Sequence, residues 1–186
     1  DDPVIASRIK TRRLHGISTD VFGRYNAEGA SWYYEVVAPG FKYNMSDIAA
    51  SIGIHQLRKA QDFASRRADI ALRYLEGFHG LPLILPARNR NGDLHAWHLF
   101  VVRVTDSACI TRDEFVLKLN EKGIGTSVHF IPLHMQPYWQ DMYDLEPQDF
   151  PAARHAYEAA ISLPIYSSMT VDDCDRVVNA VQEILS

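Results

Sequence analysis

One run of helical periodicity decides much about what this sequence can form. From Ser46 onward, Ile48, Ala49, Ile52, Leu57, Phe63, Ala64, Ala68, Ala71 and Leu75 mark the apolar positions of a helix. Ser46 is a good N-cap, and Asp47 suits the positive end of the helix dipole. A helix of about 30 residues reaches roughly 45 Å at its rise of 1.5 Å per residue. A helix that long usually connects domains. Gly77, Gly80, Pro82 and Pro86 then supply the breakers of a short linker. The expected organisation is therefore residues 1–79, ending in the long helix, followed by a small C-terminal α/β domain over residues 80–186.

Ahead of the long helix, residues 3–14 read as a short helix with Val4, Ile5 and Ile9 on one face and Arg8, Lys10, Arg12 and Arg13 on the other. Gly16 suits its end. Residues 17–40 are irregular and rich in Tyr, Trp, Gly and Asn, which predicts a long loop with an extended piece over 32–37. Loops of that length in compact domains tend to be functional. After the linker, elements alternate: a strand over 97–104, a helix over 111–122, a strand over 126–131, a helix over 150–160, a short strand over 162–166 and a last helix from Thr170. Thr111 and Glu114 form a capping box, and Gly123 ends that helix. Each amphipathic helix must bury its stripe, so the alternation predicts helices on a small sheet.

Hydrophobic residues make up 47% and charged residues 23% of the chain, enough apolar material for a globular core. The net charge of -4 is spread along the sequence and offers no basic stripe for a phosphate backbone, so nucleic acid is not an expected partner. Cys109 and Cys174 lie far apart and outside any zinc spacing, which points to a reducing compartment. The sequence shows neither a secretion signal nor an apolar run of membrane-spanning length, and the expected location is the cytoplasm without membrane attachment. The opening Asp1-Asp2-Pro3 lacks an initiator methionine and begins on a helix start signal, as a piece of a longer protein would.

Two groups of residues carry candidate chemistry. In an extended Phe41-Lys42-Tyr43-Asn44-Met45, Lys42 and Asn44 project to the same side. A cation and an amide beside the free N–H groups of a helix start suit a phosphate or carboxylate. A solvated loop is the competing reading. His129 and His134 fall in Val128-His129-Phe130-Ile131-Pro132-Leu133-His134, where alternation turns Val128 and Phe130 to one face and His129 to the other. His134, Tyr138 and Trp139 would then line a pocket wall with aromatic faces for a sugar or a base, or serve as ordinary core. His95 and His98 have a tight spacing, but neither this pair nor His129 and His134 sits at helical i, i+4 spacing, so no metal is expected. His98 reads as a buried strand residue. Leu163-Pro164 reads as an edge strand. Serine-hydrolase, phosphate-loop and dinucleotide-fold motifs are absent from the sequence.

Seven segments in order carry a family resemblance: Arg13-Leu14-His15-Gly16-Ile17, Gly40 through Leu57, Arg66-Arg67, Trp97 through Val101, Gly123-Ile124-Gly125-Thr126, His129 through His134 and Ser162 through Tyr166. Together they resemble the DegT/DnrJ/StrS family of sugar aminotransferases over essentially the whole chain. The resemblance implies the C-terminal part of a fold type I transferase dependent on pyridoxal 5'-phosphate. Such an enzyme is a homodimer that moves an amino group, usually from glutamate, to a keto group of a nucleotide-linked sugar for polysaccharide or related biosynthesis. The cofactor performs the electron-sink chemistry while the protein orients the reactants.

In the family, the lysine that binds the cofactor covalently and the aspartate facing the pyridine nitrogen lie before the point where this chain begins. The resemblance thus implies that residues 1–79 end the large cofactor-binding domain. It also implies no catalytic residue here, no cofactor bound by this chain alone and no activity alone. Lys42, Tyr43 and Asn44 map to the segment that reaches the cofactor phosphate of the neighbouring subunit, and His129 and His134 to a strand on the substrate side. The alternative is a remnant of the same fold that binds or dimerises without catalysis.

Overall fold

In the computed structural model, residues 1–18, 34–88 and 92–186 are described, and they form two compact units, Asp1–Arg58 and Lys59–Ser186. The expected loop over 17–40 falls largely outside the described residues.

The first unit opens with α1 (Pro3–Arg12). Asp2 caps it by accepting from the N–H groups of Val4 and Ile5, with Pro3 in the first turn. The chain leaves α1 through His15 and Gly16, both at positive φ (57° and 74°). It then runs between two other segments, with Leu14 bridged to Lys42 on one side and Ile17 bridged to Val36 on the other. Residues 34–37 of the expected extended piece over 32–37 are described, and they supply the Val36 bridge. The crossing of these segments requires glycine. A Cβ on Gly16 would stand 1.7 Å from the Ala38 carbonyl oxygen, and one on Gly40 would stand 2.0 Å from the Gly16 nitrogen. α2 (Asp47–Arg58) completes the unit, with Ser46 Oγ accepting from Ala49 N–H as its cap.

The long helix expected from Ser46 to Leu75 is in fact two helices. Lys59 interrupts it at φ -92°, ψ -6°, and α3 (Ala60–Gly77) begins afresh with Phe63 N–H donating to Lys59 O. Neither glycine nor proline marks the break. The environment of the apolar stripe changes there instead: Ile48, Ile52 and Leu57 on α2 are exposed, whereas Ile70, Ala71, Tyr74 and Leu75 on α3 are buried.

The second unit holds a three-stranded antiparallel sheet in the order β1 (Leu83–Ile84), β2 (Phe100–Val104), β3 (Ala160–Leu163). β2 pairs Phe100 with Leu163 and Arg103 with Ala160, and β1 pairs Leu83 with Val104. Phe100, Val102 and Val104 alternate inward, so one face of β2 meets the core. The expected strand over 97–104 starts late because Trp97 sits at φ 45°, and His98, expected to be buried, is exposed before the strand begins. Residues 126–131 contribute only the Ser127 to Ser162 bridge rather than a strand. Proline ends β3 early: Pro164 has no N–H to donate, and the strand stops at Leu163.

α4 (Arg112–Glu121), α5 (Pro137–Tyr143), α6 (Pro151–Ala159) and α7 (Val171–Leu185) complete the unit. Its core joins Tyr74 and Phe78 of α3 and the following turn, Phe100 of β2, Phe115 and Leu119 of α4, and Val177 and Val181 of α7. The Tyr74 hydroxyl donates to Pro164 O at 2.8 Å, and burial pushes its pKa upward. Arg73 and Asp175 form an exposed ion pair between α3 and α7, which adds little to stability.

Two capping boxes open α4 and α7. In each, the carboxylate (Glu114 or Asp173) accepts from the backbone N–H and then the hydroxyl of its threonine (Thr111 or Thr170), which lowers its pKa. A carboxylate lowered in the folded state adds stability that is present above its unfolded pKa and lost as pH falls through the folded one. Thr111→Ala and Thr170→Ala are each expected to cost about 1 kcal/mol at pH 7. Urea unfolding of these variants should show the deficit shrinking on acidification below the ordinary carboxylate range. A deficit independent of pH would show that the boxes are not the source.

Candidate functional site

The segment preceding α2 is held by the short ladder with the end of α1. Phe41 N–H donates to Arg12 O at 2.7 Å, Tyr43 N–H to Arg13 O at 2.8 Å, and His15 N–H to Phe41 O at 2.9 Å. The extended backbone alternates, and the Phe41 and Tyr43 rings stack on one side at 5.2 Å and 9°. Lys42 and Asn44 therefore fall on the other side, as the sequence spacing suggests. Both side chains are exposed and make no hydrogen bond or ion pair among the described residues. Two residues on, Ser46 caps α2, whose first N–H groups lack helical partners. Cation, amide and helix start form a set made of donors, the chemistry a phosphate requires. Asp47, in the first turn, is the acid in that neighbourhood.

The second candidate group lies in the other unit, and its two histidines differ. His129 is exposed, on a stretch where Val128 and Phe130 are exposed too, so the alternation read from the sequence has no buried face behind it. His134 is 7% exposed in the single turn Leu133–Met135, its ring 4.8 Å from that of Phe150, and its Nε2 has no hydrogen-bond partner. A buried imidazole nitrogen left without a hydrogen bond costs about 1–3 kcal/mol. Nearby, Trp139 stacks on Tyr143 at 5.8 Å and 10°, while Tyr138 stays largely exposed.

A cavity of about 510 Å³ beside α4 and α6 includes Thr105, Cys109, Arg112 and His155 and none of the candidate site residues Lys42, Tyr43, Asn44, His129 and His134. Arg112 is spent there on the carbonyls of Tyr157 and Ala160 and on the Tyr157 ring face, so it offers no free cation to a ligand. Among the described residues, no cluster of His, Cys, Asp and Glu side chains is arranged to hold a metal, and no helix is long and apolar enough to cross a membrane.

Comparison with known proteins decides the family. Residues 1–182 match the sequence profile of the DegT/DnrJ/EryC1/StrS aminotransferase family. The chain belongs to that family. It is 45% identical over 188 residues to the spore coat polysaccharide biosynthesis protein SpsC of Bacillus subtilis, and 49% identical over 187 residues to an uncharacterized protein of Methanocaldococcus jannaschii. In both cases the match takes in all of this chain and 48% of the relative, so the chain spans about half the length of these curated relatives. Among solved structures, the putative sugar aminotransferase Spr1654 of Streptococcus pneumoniae in its PMP form superposes with a TM-score of 0.86 at 27% identity. That match covers 99% of this chain and 45% of Spr1654, whose PLP form also matches, with a TM-score of 0.81. The fold is thus the α/β C-terminal part of the sugar aminotransferases, and membership of DegT/DnrJ/EryC1/StrS gives the donor set before α2 a ligand class to be tested against.

Proposed function

We propose that this chain is the C-terminal part of a pyridoxal phosphate-dependent enzyme that transfers an amino group, from glutamate, to a keto group of a nucleotide-linked sugar in polysaccharide biosynthesis. The observation that carries the proposal is the side of the segment before α2 where Lys42 and Asn44 project together beside a helix start. This donor set fits the phosphate of pyridoxal phosphate, and Lys42 and Asn44 hold it there. Tyr43 serves through its backbone, whose N–H bond to Arg13 O fixes the segment. The cofactor, when bound, supplies the electron sink; the residues here bind and orient. In the whole protein, residues 1–79 end the large cofactor-binding domain and residues 80–186 form the small domain. His129, exposed, and His134, with its unpartnered Nε2, lie on the substrate side.

The first unit supports a larger assembly. Among its described residues no hydrophobic side chain is fully buried, and Val4 (65% exposed), Ile48 (77%) and Leu57 (76%) face outward. Apolar exposure on this scale marks surfaces that other polypeptide covers. The rest of the enzyme and a second subunit are the proposed cover, in a cytoplasmic homodimer.

The test uses the full-length protein. It is expected to bind pyridoxal phosphate covalently through a lysine outside this chain and to aminate a keto sugar nucleotide with glutamate, whereas the 186-residue chain alone shows no lysine-bound cofactor absorbance. Removing one hydrogen bond to a charged group costs about 1.5–3 kcal/mol, so Lys42→Ala and Asn44→Ala should each weaken cofactor retention by roughly 10- to 150-fold. Retention unchanged in both variants would remove the phosphate assignment. A specific lysine adduct on the isolated chain would overturn the assignment of the catalytic lysine to a region outside it.

A further inference from the structure

A single peptide unit ahead of β2 is gripped at both ends. Arg67 of α3 donates from Nε to the Ala96 carbonyl at 2.9 Å, and the other end of the same unit, the Trp97 N–H, donates to His95 Nδ1 at 2.9 Å. Between them these bonds hold Trp97 at φ 45°, a left-handed backbone that strains a bulky residue and persists only where its surroundings enforce it. This conformation decides which side chain enters the core. In a regular strand from residue 97 onward, alternation would turn His98 inward with Phe100 and Trp97 outward. The left-handed residue reverses that choice: Trp97 is 5% exposed and stacks on Phe100 at 5.9 Å, while His98 stands exposed.

The two grips differ in chemistry. A guanidinium keeps its charge at every pH a protein meets, so the Arg67 bond is permanent. An imidazole accepts at a ring nitrogen only while neutral, since both nitrogens carry protons once it is charged. We infer that His95 is a proton-sensitive latch: its neutral ring holds the Trp97 amide, and protonation releases that amide and loosens the entry to β2. Arg67 is the charged group that reaches this segment from α3, and Asp93 and His98 are the titratable neighbours on the segment itself. Trp97 presents only its indole, 4.1 Å from the imidazole at 32°. Among the described residues none of these groups forms an ion pair with His95. Stacking on the indole survives protonation, so the proton removes the acceptor and leaves the ring in place. The bond is therefore present above the imidazole range and lost as pH falls through it, from about 8 to 5. A protonated His98 is barred from the core, so the released segment opens rather than shifting register.

The test is amide hydrogen exchange, read by mass spectrometry on the full-length protein near about pH 8 and about pH 5 and corrected for the intrinsic pH dependence of exchange. The peptide carrying Trp97 is expected to lose protection by about five- to tenfold on acidification, the equivalent of one ordinary hydrogen bond, with the rest of β2 and β3 unchanged. His95→Asn keeps a side-chain oxygen that accepts from the amide two residues on without titrating, so it should stay protected at both pH values. His95→Phe keeps the stack and removes the acceptor, so it should be open at both. His98→Gln should behave as the parent does. The inference is overturned by parent protection that does not change with pH, by a His95→Asn variant that loses protection as the parent does, or by a His95→Phe variant as protected as the parent at the higher pH. Abolition of the change by His98→Gln would move the titrating group to His98, and loss spread equally over β2 and β3 would show general loosening by acid; either result removes the latch.

Discussion

Phe100→Ala is expected to destabilise the second unit by about 3–5 kcal/mol, the usual cost of deleting a fully buried phenyl group. Phe100 is 0% exposed and stands at the junction of three other core aromatics. Its ring meets Tyr74 edge-on at 5.1 Å, Phe78 at 6.2 Å and Trp97 at 5.9 Å. It also lies on β2, the central strand, paired with Leu163 on one flank, so the cavity cannot close without moving the sheet. Domains are stable by only about 5–15 kcal/mol, and this one loss takes a large share of that. Urea unfolding followed by circular dichroism should show the midpoint falling by more than about 1 M, given slopes of 1–3 kcal/mol per M. Tyr74→Phe provides the calibration. It keeps the ring and removes the bond to Pro164 O, so its cost should stay near 1 kcal/mol. Equal costs for the two variants would mean that the aromatic junction is not what holds the unit together.

The core was readable from sequence wherever a local rule decided it. Thr111 with Glu114 announces a helix start, and the structure forms that box; Thr170 with Asp173 forms another by the same chemistry. Local rules failed where the deciding contact was distant. The β1 pairing of Leu83 and Ile84 depends on Val104 and Arg103, which a reader of 80–86 sees only as punctuation between prolines. The stretch 126–131 has the alternation of a strand but pairs only through Ser127, and Phe130 is 77% exposed. At Lys59, periodicity continues through a break because the stripe on either side belongs to different surroundings, and spacing alone carries no record of surroundings. Pro137 and Pro151 both open helices, but only the helix over 150–160 shows in the sequence, since the seven residues of α5 are too few to show a period.

Legibility of the candidate site follows the same division. The projection of Lys42 and Asn44 to one side needs only an extended backbone, which the ladder supplies. That Tyr43 turns away and stacks on Phe41 follows from the same alternation, yet the resemblance groups Tyr43 with its neighbours by position in the chain. His134 shows the limit. Its burial depends on Phe150, 16 positions on, and its unpartnered Nε2 has no signature in sequence. The family came from seven motifs in order, which no single spacing carries.

Gly40→Ala tests whether the crossing of backbones, rather than Lys42 alone, creates the proposed phosphate site. The added Cβ would lie 2.0 Å from the Gly16 nitrogen and 2.3 Å from the His15 carbonyl carbon, and backbone atoms have no rotamer by which to yield. Gly16 is fixed in turn, since its φ of 74° and its contact with Ala38 leave it no room to retreat. The two strands must part, and Phe41 and Tyr43 are the next residues along, so their bonds to Arg12 O and Arg13 O open first. Lys42 and Asn44 ride on that ladder and move together. The full-length Gly40→Ala enzyme should therefore lose cofactor to a greater degree than Lys42→Ala, because it displaces both donors: roughly 3–6 kcal/mol, enough for the cofactor to leave during gel filtration. The unfolding midpoint of Lys59–Ser186 should stay at the parent value, since Gly40 belongs to the other unit. Loss of cofactor with an unmoved midpoint would assign the glycine crossing to the site. Full cofactor retention would mean that the 41–44 segment does not hold the phosphate, and the Lys42 and Asn44 assignment would fall with it.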